Sequence, residues 1–81
     1  MTQINIEGGD YHVFGIHVGD NIEDASKILE ERGYIKVLSR KDSNDDKKIV
    51  TRFTKKDVFI DLERYVDSED ICKIFISTKT Q

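Results

Sequence analysis

Two histidines, one cysteine and sixteen carboxylates are the side chains of this 81-residue chain that could hold a metal or move a proton. His12 and His17 lie in a glycine-flanked stretch near Asp10 and Asp20. A zinc site needs four ligands on a rigid frame, and no second histidine pair or nearby cysteine supplies them. The run Asp42-Ser43-Asn44-Asp45-Asp46-Lys47 opens like a calcium loop, but Lys47 and Phe53 stand where that loop needs its glycine and its bidentate glutamate. It reads as a polar hairpin turn. Gly15-Ile16-His17-Val18-Gly19 precedes a helix start, yet no Gly-Lys-Ser/Thr follows, and Asp20 and Glu23 would repel an anion there. Ser26, Ser39, Ser43, Ser68 and Ser77 have no nucleophile-elbow setting. Carboxylates without a pocket define no acid–base pair. The expectation is a protein with no catalytic residues, no metal and no cofactor.

Size supports that reading. At 9.4 kDa the chain has room for one core and buries only about 60–65% of its unfolded surface. A cofactor-sized cleft would consume that core. Hydrophobic residues are 37% and charged residues 36%, with net charge -3. Eleven isoleucines, four phenylalanines and three tyrosines in regular patterns, with no proline, exclude a disordered chain. No apolar run is long enough to span a bilayer. Residues 1–10 show no signal peptide. Cys72 lies inside an apolar run and reads as a small buried hydrophobe. The compartment stays open: the chain as it stands fits the cytoplasm, and a mature domain that has lost its signal would look the same. Abundant Lys and Ile with a single Ala match an AT-rich bacterial genome.

Residues 1–14 form an arm in which Ile4 and Ile6 alternate with polar residues before Gly8-Gly9 breaks the pattern; it either adds an edge strand or stays loose. Residues 15–81 form the domain. Ile22, Ala25, Ile28 and Leu29 recur at helical spacing. Asp20 with Glu23 offers an N-terminal capping box, and Gly33 offers the C-terminal stop, so a helix is expected over about 21–32. After Gly33 the period changes to two. Strands are expected at 34–40, 48–54, 58–64 and 71–78, joined by short polar turns, which implies an antiparallel meander. The fold class is α+β: one helix on one face of a four-stranded sheet.

Alternation assigns the two faces. Ile35, Val37, Ile49, Phe53, Val58, Ile60, Leu62, Cys72, Ile74 and Ile76 make the set expected under the helix. Tyr34, Lys36, Leu38, Arg40, Lys48, Val50, Arg52, Phe59, Asp61, Glu63, Tyr65, Lys73 and Phe75 fall on the other face. A wet face seldom carries so many large apolar groups. Adjacent strands would bring the Phe59 and Phe75 rings together. Either residues 1–14 fold back over this face, or its apolar groups are scattered singly, as is common, or it binds something. Charge is uneven as well: residues 1–35 carry seven acidic and two basic side chains, 36–56 three acidic and eight basic, and 57–81 six acidic and three basic. The first hairpin is a basic block on an acidic chain, either an ordinary solvated edge or a dock for an acidic partner.

Phe14-Gly15-Ile16-His17-Val18-Gly19-Asp20, followed by Ala25, Ile28-Leu29 and Gly33-Tyr34, resembles the helical opening of small bacterial domains of the SmpA/OmlA and beta-lactamase-inhibitor-protein-like group. The resemblance covers about a quarter of the chain. It implies a helix followed by an antiparallel sheet, and non-catalytic use of an open sheet face as an envelope scaffold part or protein inhibitor. The chain departs from that group in lacking a lipoprotein cysteine and in its four strands and one helix.

The functional expectation is therefore a non-enzymatic bacterial protein-interaction module of inhibitor, immunity or scaffold type. Its partner would be a protein, met through Tyr34, Leu38, Arg40, Arg52, Phe59 and Phe75. Two other readings are a nucleic acid or other polyanion binder using the 36–56 hairpin, and a homodimer that buries the open face against a second copy. Net negative charge and the missing RNP1 pattern argue against nucleic acid.

Overall fold

The computed structural model describes residues 2–6, as backbone, and residues 14–78. Its elements are β1 (Thr2–Ile6), α1 (Ile22–Glu31), β2 (Ile35–Lys41), β3 (Lys48–Lys55), β4 (Val58–Tyr65) and β5 (Ile71–Thr78). The strands form one antiparallel sheet in the order β1-β5-β4-β3-β2. The expected meander is present as β2 to β5. The arm supplies a fifth, edge strand: Thr2 to Ile6 pair with Thr78 to Ile74. The expected second extended piece, with Tyr11, His12 and Val13, lies outside the described residues. Because β1 and β2 occupy opposite edges, the chain between them must cross the sheet, and α1 is that crossing.

The helix forms where its apolar stripe predicts. Ile22, Ala25 and Leu29 are buried and Ile28 is half-buried, while Glu23, Asp24, Lys27, Glu30 and Glu31 face water. Its N-cap is Asn21 rather than Asp20. Asn21 Oδ1 accepts from the backbone N–H of Glu23 at 2.8 Å. The Asp20 carboxylate instead accepts from the His17 backbone N–H at 2.8 Å. The reason is tertiary. The segment before the helix is clamped to the start of β5 by Gly19 N–H to Ile71 O (2.7 Å), Ile71 N–H to Asp20 O (2.8 Å) and Ile22 N–H to Glu69 O (2.8 Å). At the other end Gly33 adopts φ +90°, and Gly33 and Tyr34 donate back to Glu30 O and Leu29 O. Lys55 Nζ also donates to the Arg32 carbonyl at 2.7 Å, tying the helix end to β3.

The core lies between α1 and one face of the sheet. Ile22, Ala25 and Leu29 meet Phe53, Ile60, Leu62, Ile71 and Ile74, with Ile16 and Tyr34 closing the ends. Val58 and Ile76 pack at the margin, as their alternation predicts, whereas Ile49 is half-buried outside this cluster.

Two bulges correct the expected face assignment. The first falls between Lys36 and Leu38 of β2 and reverses which side alternate residues take. Tyr34 is thereby buried (8% exposed) on the helix side, near Phe14 (ring centroids 5.8 Å) and under Lys55 Nζ (5.8 Å). Ile35 and Val37, expected in the core, are 66% and 50% exposed. The second bulge falls between Glu63 and Arg64, where β5 shifts so that Arg64 opposes Ile71. Ile71 then enters the core, and Cys72 is half-buried among Lys48, Glu63 and Lys73 instead. Burial pushes the Cys72 thiol up. The 42–47 turn uses its acids internally: Asp42 Oδ1 accepts from Asn44 N–H (2.7 Å) and Asp45 Oδ1 from Lys47 N–H (3.0 Å). These are Asx turns, the polar turn chemistry expected of this run.

Candidate functional site

The face of the sheet opposite α1 is built in rows, because antiparallel register places one residue from each strand side by side. One row reads Arg40, Val50, Glu63, Lys73 across β2, β3, β4 and β5. The next reads Leu38, Arg52, Asp61, Phe75. A third reads Ile35, Thr54, Phe59, Ser77. Of the expected contact residues, Leu38, Arg40, Arg52, Phe59 and Phe75 are brought together here, and Tyr34 is not. Ile35 takes a place on this face that alternation alone did not assign. Only the β2 bulge puts it there, and no glycine or proline marks that bulge in the sequence.

The middle row is bridged by an ion pair. Arg52 Nε and Nη2 donate to the two Asp61 carboxylate oxygens at 2.8 and 3.0 Å. This bidentate pair bridges β3 and β4, and hydrogen bonding to Asp61 raises the already high Arg52 pKa. The Arg52 guanidinium lies 5.7 Å from the Phe59 ring centroid, and Lys73 Nζ lies 6.0 Å from that of Phe75. The two phenylalanines occupy diagonal positions, Phe59 opposite Ser77 and Phe75 opposite Asp61. The expected direct ring pairing is replaced by a cation over each ring.

At the end of the face the 42–47 turn leans across the strands. With Asp42 and Ser43 it closes one side of a groove of about 250 Å³, floored by Leu38, Val50 and Phe75. The Glu63 side chain is buried there and faces the Asp42 carboxyl within hydrogen-bonding reach. Burial first, then Asp42, pushes the Glu63 pKa up. The Asn44 N–H first, then Glu63, holds Asp42 below its ordinary value. Two carboxyls this close share a proton more readily than they both ionise. Lys48 and Lys73 oppose the Glu63 shift, and Lys48 itself is held charged chiefly by Tyr65, whose ring centroid is 5.4 Å from its Nζ. Glu63 and Asp61 belonged to the expected open face but not to its expected contact set. Their packing partners come from two other strands and a turn, so spacing along the chain does not reveal them.

The arrangement has an apolar floor, fixed charges and one buried carboxyl. Among the described residues no helix is long and apolar enough to cross a membrane, and no group of three or more His, Cys, Asp or Glu side chains could hold a metal ion. No family model, curated protein or solved structure matches the chain.

Proposed function

We propose that the chain is a non-catalytic protein-interaction module that binds its partner through the open sheet face. One observation carries the reading. Leu38, Val50 and Phe75 line a concave surface with preset charges, Phe59 lies on the same face beside Arg52, and α1 packs on the opposite side. Half-buried aromatic groups beside oriented charges are the usual anchors of protein interfaces. The bidentate Arg52–Asp61 pair presets the orientation of two of its charges, which lowers the ordering cost of binding there. A scaffold, immunity or inhibitor role, as the SmpA/OmlA and beta-lactamase-inhibitor-protein-like resemblance implies, would use such a face without chemistry. A polyanion would need an uninterrupted cationic stripe, and here Asp42, Asp61 and Glu63 interleave with the cations.

The test is affinity capture from lysate of the source organism, comparing wild type with the Phe59→Ala/Phe75→Ala variant, both verified as folded. The expected outcome is a protein retained by wild type and lost with the variant. Equal retention on both, or capture dominated by nucleic acid and abolished by nuclease, overturns the proposal.

A further inference from the structure

Resting on the open-face reading, we infer that the groove beside the 42–47 turn receives an acidic segment of the partner, with one large apolar side chain of that segment seated on Leu38, Val50 and Phe75. Charge complementarity selects this occupant. Every carboxylate lining the groove already has a partner. Asp61 is held by both donors of Arg52. Asp42 takes the Asn44 N–H and faces Glu63, which is itself buried. A basic segment would therefore find no available acid. The cations differ. Arg40 and Lys41 line the groove, are exposed, and make no hydrogen bond or ion pair among the described residues. They belong to the 36–56 block, which carries eight basic and three acidic side chains on a chain of net charge -3. Carboxylates at the rim would meet those two cations and be steered in by the block as a whole.

Size limits the occupant further. About 250 Å³ is below the range of roughly 300–1,000 Å³ usual for small-molecule sites, and it suits one anchoring side chain. The helix of a second copy fits poorly. Its outer helix face offers Glu23, Asp24, Glu30 and Glu31, but Ile22, Ala25 and Leu29 are turned into the core, leaving no exposed apolar anchor among them.

The test uses the full chain and three synthetic peptides: one of Asp and Glu around a central Phe-Leu, one with every acid replaced by Lys, and one acidic with Ala at the centre. Binding is followed by fluorescence anisotropy and by amide shifts of β2 to β5. The acidic Phe-Leu peptide is expected to bind saturably, to weaken with salt, and to shift the groove amides. The other two are expected to bind far more weakly. Arg40→Glu with Lys41→Glu, verified as folded, should weaken binding roughly tenfold or more. The inference is overturned if the Lys peptide binds as well, if the acidic peptide does not saturate at millimolar concentration, or if the double reversal changes nothing. Concentration-dependent self-association that blocks the peptide also overturns it. A captured partner that cross-links to the groove through a basic segment removes this inference alone. Loss of Phe59/Phe75-dependent capture removes the open-face reading itself.

Discussion

On the helix side of the sheet, Phe53, Ile60, Leu62 and Ile74 meet α1 and lose essentially all contact with water. On the other side, Phe59, Phe75 and Val50 remain half-buried, with an ion pair and a carboxyl pair among them. The same three strands supply both sets at alternate positions. The helix side is stabilised by burial without direction, so any close-packed apolar set would serve it. The open side holds its shape through directed contacts, which specify orientation more than they stabilise. The open face thus combines oriented charges with apolar groups that are only half-buried.

The sharpest way to break that contrast is to delete one aromatic ring from each side. Phe53→Ala should cost about 3–5 kcal/mol in urea unfolding, because a fully buried ring leaves a cavity that the sheet cannot close. Phe59→Ala should cost about 1 kcal/mol, the range for a half-buried position. Equal losses would make the open side a second core and end the distinction.

A smaller effect tests the buried carboxyl. Burial and Asp42 raise the folded-state pKa of Glu63 above its ordinary 4.5, so the folded protein holds more protons than the unfolded chain between those two values. Stability from this group is therefore complete below 4.5 and lost as pH rises through the folded value. Asp42 runs the other way: its lowered pKa contributes stability above its ordinary 3.8 that is lost as pH falls through the folded value. Glu63→Gln keeps a donor toward Asp42 and removes the titration. Its thermal midpoint should exceed that of wild type at neutral pH by a few degrees and converge with it at acid pH. A constant difference across the range would show that the pair does not share a proton.

The smallest expected effect is at the edge. Ile35→Thr and Val37→Thr should each change stability by no more than about 0.5 kcal/mol, since both side chains already face water. A larger loss, measured by the same urea titration, would mean that something covers this part of the open face.

Much of this architecture is legible along the chain, and the failures share a cause. The helix is legible in Ile22, Ala25, Leu29 and Gly33, four residues whose spacing and type act within a few turns. The cap is less so: Asp20 and Asn21 are both competent, and the clamp of residues 19–22 on Ile71 and Glu69 decides between them. Phe59, Phe75, Arg52, Arg40 and Leu38 can be grouped by alternation, but Tyr34 cannot be separated from them by alternation alone. Its backbone is tied to Leu29 at the helix end, and the β2 bulge then carries the strand out of the register that simple alternation assumes.

What the sequence determined by itself is whatever acts locally: the helical stripe, the period-two strands, the polar turns and hence the antiparallel order of β2 to β5. Apolar spacing and turn chemistry operate between near neighbours, so they can be read without the fold. The tertiary structure alone decided which side each residue at a bulge would take, which residue capped the helix, and which charges would meet. Those outcomes depend on hydrogen bonds and packing between segments far apart in the chain. A one-residue slip in register reverses the faces of a strand while leaving its sequence pattern intact.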